Sequence, residues 1–275
     1  MSGGHLIACA DCRSMFRHPV LQASDYMLLY ERGVADQWDG ISGREDLRVI
    51  GDILRAEGRP LRLLDIGCGA GEFLRNMPGN MEKYGIEPSP AAQQAAARGV
   101  TILGPDVAHM PVSLKFDAIM MIDVIEHVVD PASLLFKAYE HLLPGGMIIV
   151  SSGNPECGAW REIFKSRFWY VSFPEHITFP SGLFFEKWCD THRAVAGPRV
   201  VSRYMYFGAL PKLTKLLMQL VFFLSPSTFN LAGRFAAWFN ASPGPRRKRF
   251  SPGIPGLFID HHVCIVRRPD SASPK

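Results

Sequence analysis

Three glycines, each two residues from the next, stand between two carboxylates in this chain of 275 residues. The run from Leu63 to Gly71, Leu-Leu-Asp-Ile-Gly-Cys-Gly-Ala-Gly, reads as a short buried strand that ends at Asp65 and passes through a glycine-rich turn into a helix. Residues without a Cβ let the backbone bend tightly and come close to a ligand, and the free N–H groups at the helix start favour its anionic end. Glu87 closes the next strand, twenty residues after Gly67. A carboxylate at that place accepts hydrogen bonds from both hydroxyls of a ribose. Turn and acid together require a ligand that carries adenosine.

Asp65 decides what else that ligand carries. A dinucleotide fingerprint places its third glycine one residue later and needs no acid two residues before the first. Here the pattern is Asp-x-Gly-x-Gly-x-Gly. A carboxylate beside the turn repels a pyrophosphate and attracts a cationic amino-acid group, which favours S-adenosylmethionine over a nicotinamide dinucleotide. A glycine turn alone also serves as plain structure; it is the combination with the ribose acid that argues for a site. The cofactor-binding set read from the residues is Asp65, Gly67, Cys68, Gly69, Gly71 and Glu87.

The order of motifs continues through Pro105–Ser152, PDVAHMPVSLKFDAIMMIDVIEHVVDPASLLFKAYEHLLPGGMIIVSS. Over roughly positions 40 to 190 the chain resembles the class I S-adenosylmethionine-dependent methyltransferases, in the Methyltransf_23 and ubiquinone-biosynthesis-type branch. The resemblance implies that Asp106 bonds the adenine amino group, that Val107 lies against the ring, and that Asp123 and Val124 line the site where the fourth core strand ends. It also implies a doubly wound, Rossmann-like α/β fold with a seven-stranded sheet, whose antiparallel last strand comes from His262–Arg267. No Asn/Asp-Pro-Pro-aromatic tetrad follows the fourth strand, where Ile-Asp-Val-Ile-Glu-His stands instead. That disfavours exocyclic base amines and glutamine amides and leaves oxygen, carbon or sugar-amine acceptors.

Methyl transfer is an in-line displacement, so the enzyme aligns three atoms and takes a proton where the acceptor is an alcohol or phenol. Histidine suits that task near neutral pH. His176, in Phe-Pro-Glu-His-Ile-Thr, is the first candidate; its context is similar to the substrate-facing segment of related sugar and quinone methyltransferases, and Glu175 stands beside it. His127, directly after the fourth strand, is the second, or else it caps or packs the next helix, with Glu126 organising the loop. His109 reads as structural. His261 and His262 carry little signal, because neighbours on a strand face opposite sides.

Strands alternating with helices position these groups. Residues 42–57 form a helix with Leu47, Ile50, Ile53 and Leu54 on one face and Ser42 as its cap. Further helices are read at 71–77, behind Pro90, at 131–143 ahead of Pro-Gly-Gly, and near Leu183–Asp190; further strands at Lys83–Glu87, Val100–Leu103, Phe116–Ile122, Met147–Ser152 and near Pro198–Phe207. The expected division is an N-terminal arm at 1–40, the cofactor-binding core at 41–210, an apolar and basic insertion at 211–256, and the last core strand with the tail at 257–275. Tyr26, Tyr30 and Trp38 either cover the acceptor pocket or anchor the arm.

Composition sets the remaining bounds. With 47% hydrophobic and 20% charged residues the chain has enough apolar material for a substantial core, which excludes wholesale disorder. Six cysteines, widely spread, are too few for a disulfide framework and suit a reducing, cytoplasmic setting. The start, MSGGHLIACADCR, lacks the basic and apolar regions of a secretory signal. Cys9 and Cys12 resemble the second half of a zinc ribbon that precedes some members of the family. A structural zinc needs four ligands; His5 and His18 complete it on paper at no recognised spacing, so free thiols are expected and no metal. Positions 199–275 hold twelve Lys and Arg against Asp260 and Asp270. Residues 212–249, bulky and apolar before Pro-Arg-Arg-Lys-Arg-Phe, suit either peripheral association with an anionic membrane or a lid with a solvated basic loop. Aromatic residues are not interleaved with the basic cluster, so no nucleic acid partner is expected.

The expectation is a methyltransferase of a small-molecule acceptor, by O- or C-methylation, with a lipid-like or quinone acceptor if the membrane reading holds. A sugar-nucleotide C- or N-methyltransferase is the alternative within enzymes, and a non-catalytic cofactor-binding scaffold the alternative outside them.

Overall fold

Apolar runs of four to seven residues, each followed by a turn and a helical segment, collapse into one twisted sheet covered on both faces. The computed structural model describes residues 5–20, 44–158, 160–161, 170–171, 176–202 and 260–270. Strands β1 (His5–Ala8) and β2 (Met15–His18) form a hairpin. Helix α1 (Glu45–Ala56) leads to β3 (Arg62–Ile66), α2 (Glu72–Arg75), β4 (Glu82–Ile86), α3 (Ala91–Ala97) and β5 (Thr101–Gly104). A 3-10 turn at Val107–His109 precedes β6 (Phe116–Ile122), and a second at Ile125–His127 precedes α4 (Pro131–Glu140) and β7 (Leu142–Gly153). Then come β8 (Thr178–Phe179), α5 (Gly182–His192), β9 (Val195–Ala196), β10 (Val200–Ser202) and β11 (His261–Arg267).

The main sheet runs β10-β11-β7-β6-β3-β4-β5, with β9 also paired to β11. From β7 to β5 all neighbours are parallel, and β11 lies antiparallel against β7, with His261 opposite Gly153 and Arg267 opposite Met147. This is the expected doubly wound sheet with its antiparallel closing strand, and Val195–Ala196 adds a short strand to the seven foreseen. A separate small sheet, β1-β2-β8, joins the N-terminal hairpin to the segment after His176.

Alternation along the strands distributes the core. Leu64, Ile119, Met121, Ile148 and Val150 point to one face, under Leu135 of α4 and Phe185 and Trp188 of α5. Leu63, Ala118, Met120 and Ile149 point to the other, under Ile50 and Leu54 of α1. Ile50, Leu54, Leu63 and Leu64 are fully buried, each stabilising the fold by about 1.5–3 kcal/mol relative to exposure.

Two local expectations shift. Arg44, not Ser42, holds the cap position of α1 and makes no capping bond through its side chain; its guanidinium grips Asp46 in the first turn instead. β7 starts at Leu142, ahead of Pro-Gly-Gly, and absorbs it through a register shift against β6 between Phe116 and Ala118. All six cysteines are free thiols. Among the described residues no helix is long and apolar enough to cross a membrane. Tyr26, Tyr30, Trp38, Glu175 and the 211–256 insertion, with its basic apolar stretch at 212–249, lie outside the described residues.

The strand order reverses beside β3, which lies between β6 and β4. In open α/β sheets a ligand binds at that reversal, beyond the carboxyl ends of the strands. Asp65, Glu87 and Asp123 all stand there.

Candidate active site

The turn after β3 depends on glycine at a defined point. Gly67 takes φ +74, and a Cβ added to it would lie 2.5 Å from Cγ2 of Val124, so only glycine lets the loop pass under that side chain. The N–H groups of Gly67 and Cys68 both donate to the Ile86 carbonyl, at 2.8 and 3.2 Å, which ties the turn to the end of β4. Gly69 N–H donates to Glu87 Oε2 at 2.8 Å, and Ser89 N–H donates to Oε1 at 2.9 Å. Each Glu87 oxygen keeps a further lone pair for a hydroxyl. The Cys68 thiol packs instead under the loop toward Gly85, and burial, with the charges of Asp65 and Glu87, pushes its pKa up to about 12.

Asp65 is buried, and its Oδ1 has no hydrogen-bond partner among the described residues. Burial, and then the neighbouring charge of Glu87, raise its pKa to about 8. An orphaned carboxyl oxygen of this kind is costly unless a cationic donor arrives. The combination suits a ligand that carries both an ammonium group and a vicinal diol. Past β5, Asp106 Oδ1 accepts the Ala108 N–H at 2.7 Å and caps the turn that carries Val107, while Val107 is buried in the core cluster beside Met110.

A second set of polar groups gathers where β6 and β7 end. Asp123 adopts φ +52, and its N–H donates to the Ser151 carbonyl at 2.9 Å. Arg44 donates to Asp123 Oδ2 at 2.5 Å and to both oxygens of Asp46, and Ser151 Oγ donates to Asp46 at 2.8 Å. Nε2 of His261 lies 3.7 Å from Asp123, and its Nδ1 lies 3.6 Å from Asp260. Burial opposes charge on both partners. The Arg44 and His261 cations nevertheless hold Asp123 well below the usual carboxylate range, and the flanking carboxylates raise His261 to about 9.

Glu126 is fully buried. The Tyr170 hydroxyl donates to its Oε1, and Ser152 Oγ donates to Oε2 at 3.0 Å. Burial, and then the Asp123 charge, push its carboxyl up to about 7, with Tyr170 opposing them. Tyr170 itself is raised well above its ordinary value by burial and by the Glu126 carboxylate.

Tyr170 also reaches His176. The Tyr170 carbonyl accepts a hydrogen bond from His176 Nδ1 at 2.6 Å. Since a carbonyl only accepts, Nδ1 carries the proton and Nε2 is left with the lone pair. Burial, and then His127, lower the His176 pKa to about 3, so the ring is neutral at neutral pH. The His127 and His176 rings meet edge to face with centroids 4.7 Å apart. Glu126, His127 and His176 bring ligand atoms within 4.8 Å of one another, so this cluster has the composition to take a cation although the sequence led us to expect no metal.

The two histidines chosen from sequence thus meet, and Asp65, Glu87 and Asp123 stand at the carboxyl ends of the adjacent strands β3, β4 and β6. Sequence reasoning missed Arg44, Asp46, Tyr170 and His261. His261 was set aside because an adjacent histidine pair cannot act as a unit; the two rings do part company, and His261 alone enters the site, while His262 packs near Phe185. Asp260 beside it was the available signal.

Residues 43–192 match the family described as Methyltransferase domain, Methyltransf_23. The ubiquinone biosynthesis O-methyltransferase of Alkalilimnicola ehrlichii is 34% identical over 108 residues, 36% of this chain and 43% of the relative. That of Nitrobacter winogradskyi is 36% identical over 103 residues, 34% of this chain and 39% of the relative. The chain therefore spans about two fifths of the length of the curated relatives it matches. Among solved structures, phosphoethanolamine N-methyltransferase 2 of Haemonchus contortus, in complex with S-adenosyl-L-methionine, superposes with a TM-score of 0.56 at 18% identity, covering 93% of this chain and 62% of that one. The Burkholderia thailandensis 1,6-didemethyltoxoflavin-N1-methyltransferase gives 0.52 at 14% identity over 98% of this chain and all of that one. At such identities the structures speak for a common fold.

Proposed function

The chain belongs to the methyltransferase-domain family, and from that premise we propose that it transfers a methyl group from S-adenosylmethionine to a hydroxyl or carbon of a small acceptor. The observation that carries this reading is the orphaned, buried Oδ1 of Asp65 beside the Gly67 turn and the Glu87 carboxylate. Asp65 takes the ammonium of the amino-acid end, and the spare lone pairs of Glu87 take the ribose hydroxyls. Asp106 and Val107, at the end of β5, hold the adenine. When bound, S-adenosylmethionine supplies an electrophilic methyl group on a sulfonium.

On the acceptor side the chain's own residues handle a proton. His176 Nε2 is the available base, because Nδ1 is committed to the Tyr170 carbonyl and burial keeps the ring neutral. His127 lies against it and receives or relays the proton. Glu126, held by Tyr170 and Ser152, fixes the 3-10 turn that carries His127. Asp123 stays ionised through Arg44, and so keeps negative potential where a sulfonium is favoured.

The names of the curated relatives support an oxygen acceptor of phenolic or quinone type. The apolar and basic stretch at 212–249 supports a lipid-like acceptor met at a membrane surface. The test is methyl transfer from labelled S-adenosylmethionine to a panel of catechols and polyprenylated phenols. His176→Ala should lower turnover by roughly 10²-fold or more while leaving affinity for S-adenosylhomocysteine intact. An unchanged rate removes His176 as the base.

A further inference from the structure

His176 stands just ahead of β8, the strand with which the N-terminal hairpin pairs, and that puts a residue from far away in the chain behind it. Met15 of β2 lies opposite Phe179, and Phe16 lies opposite Thr178. Beyond that register Arg17 continues the contact by two routes. Its backbone N–H donates to the Ile177 carbonyl at 2.8 Å, and its side-chain Nε donates to the His176 carbonyl at 3.2 Å. Arg17 is 5% exposed and lies 159 positions from His176.

The other side of the same stretch is held by the 3-10 turn that carries His127. Ile177 N–H donates to the Glu126 carbonyl at 2.7 Å, and the Thr178 hydroxyl lies 3.1 Å from the carbonyls of both Ile125 and Val128. His176 Nδ1 is bound to the Tyr170 carbonyl. Tyr170 in turn packs in a buried cluster with Trp160 and Phe179, on which Leu6 and Met15 of the hairpin rest. The hairpin therefore touches the backbone of His176 directly and supports the partner of its ring through that cluster.

Strand pairing alone does not account for the arginine side chain. Backbone bonds already join the hairpin to β8, and an apolar side chain at 17 would serve to bury the seam. A guanidinium is costly to bury unless its N–H groups are met, and here one of them is directed at the carbonyl of His176 itself.

We propose that Arg17 is a positioning residue for methyl transfer: its Nε–H fixes the backbone of His176, so that the ring keeps Nδ1 on the Tyr170 carbonyl and Nε2 free for the acceptor. This rests on His176 being the base, as proposed above. The N-terminal hairpin, which in sequence reads as an arm outside the core, then belongs to the acceptor side of the site. Reacting groups misplaced by about 1 Å lose on the order of 10²-fold in rate.

Two variants of equal reach test the bond. Arg17→Gln keeps an N–H donor as many bonds from the backbone as Nε and removes the charge; Arg17→Met removes the donor as well. With labelled S-adenosylmethionine and 4-methylcatechol, Arg17→Met should lower kcat by about 10²-fold, leave the acceptor KM and the affinity for S-adenosylhomocysteine unchanged, and so show that it folds. Arg17→Gln should retain most of the rate. In a His176→Ala background Arg17→Met should cause no further loss, because a residue that acts through His176 has nothing left to act on. Equal losses in the Gln and Met variants, an additive loss in the His176→Ala background, or Arg17→Met as fast as the wild type while His176→Ala is slow, overturns this proposal alone. His176→Ala as fast as the wild type overturns the reading of the base and this proposal with it.

A second measurement needs no acceptor. In spectra of ¹⁵N-histidine-labelled protein, His176 of the wild type and of Arg17→Gln should show a single Nδ1–H tautomer, and Arg17→Met a mixture. A single tautomer retained by Arg17→Met contradicts the positioning role. In the wild type itself the Arg17 Nε–H should exchange slowly with water, and fast exchange contradicts the bond without recourse to any variant.

Discussion

The phenol of Tyr170 donates its hydrogen bond to the buried carboxyl of Glu126, while the carbonyl of the same tyrosine fixes the tautomer of His176. One residue thus holds both Glu126 and His176. Its ring fits only because Gly153 has no side chain: a Cβ there would lie 2.2 Å from the ring.

Replacing Tyr170 by Phe keeps the carbonyl and the His176 tautomer but leaves Glu126 with Ser152 alone. The hydroxyl favours the ionised carboxyl, so its loss should raise the Glu126 pKa above about 7. The stability cost should be about 1–3 kcal/mol and larger at pH 8 than at pH 6, since only the ionised Glu126 misses its donor. Urea unfolding at the two values checks this. Equal losses at both pH values would mean that the hydrogen bond does not bias Glu126.

If Asp65 takes the ammonium of the cofactor, as proposed, it couples cofactor affinity to pH. In the free protein its pKa is about 8, raised from an ordinary 3.8. A group whose folded pKa is raised contributes stability that is present below its unfolded value and lost as pH rises through the folded one. Asp65→Asn should therefore raise the melting temperature at pH 8 to 9 yet weaken S-adenosylmethionine binding by about 10- to 100-fold, the loss of one charge-assisted hydrogen bond. In the wild type, binding an ammonium should release close to one proton at pH 7, and affinity should rise toward pH 8 and then level. Calorimetry in buffers of different ionisation heat measures that proton; an uptake of protons contradicts the assignment.

The sheet was legible because its physics is local. Short apolar runs such as Leu61–Ile66 and Phe116–Ile122, with the recurring turn residues, specify strand and crossover without reference to distant contacts. The glycine turn and Glu87 were legible for the same reason. Arg44 was not, because its partner Asp123 lies 79 positions away and nothing in a cap position announces a buried ion pair. Tyr170 was hidden in an aromatic run in which any ring is a plausible core residue. The three-stranded sheet was missed because β8 is only two residues long and carries no periodicity.

The stretch at 212–249 gives a prediction independent of the crevice. If its basic cluster meets anionic headgroups, the protein should float with vesicles containing phosphatidylserine at low salt and be released at high salt, as screened surface attraction requires. Absence of flotation at low salt assigns the segment to the domain itself.

Titration of S-adenosylhomocysteine into the wild-type chain and into Gly69→Arg, followed by calorimetry, tests the cofactor site most directly. The wild type should bind one equivalent per chain, and the variant, whose side chain fills the turn between Asp65 and Glu87, should show no binding. Equal affinity in the two proteins, or a wild type that ignores the nucleoside, would contradict the account.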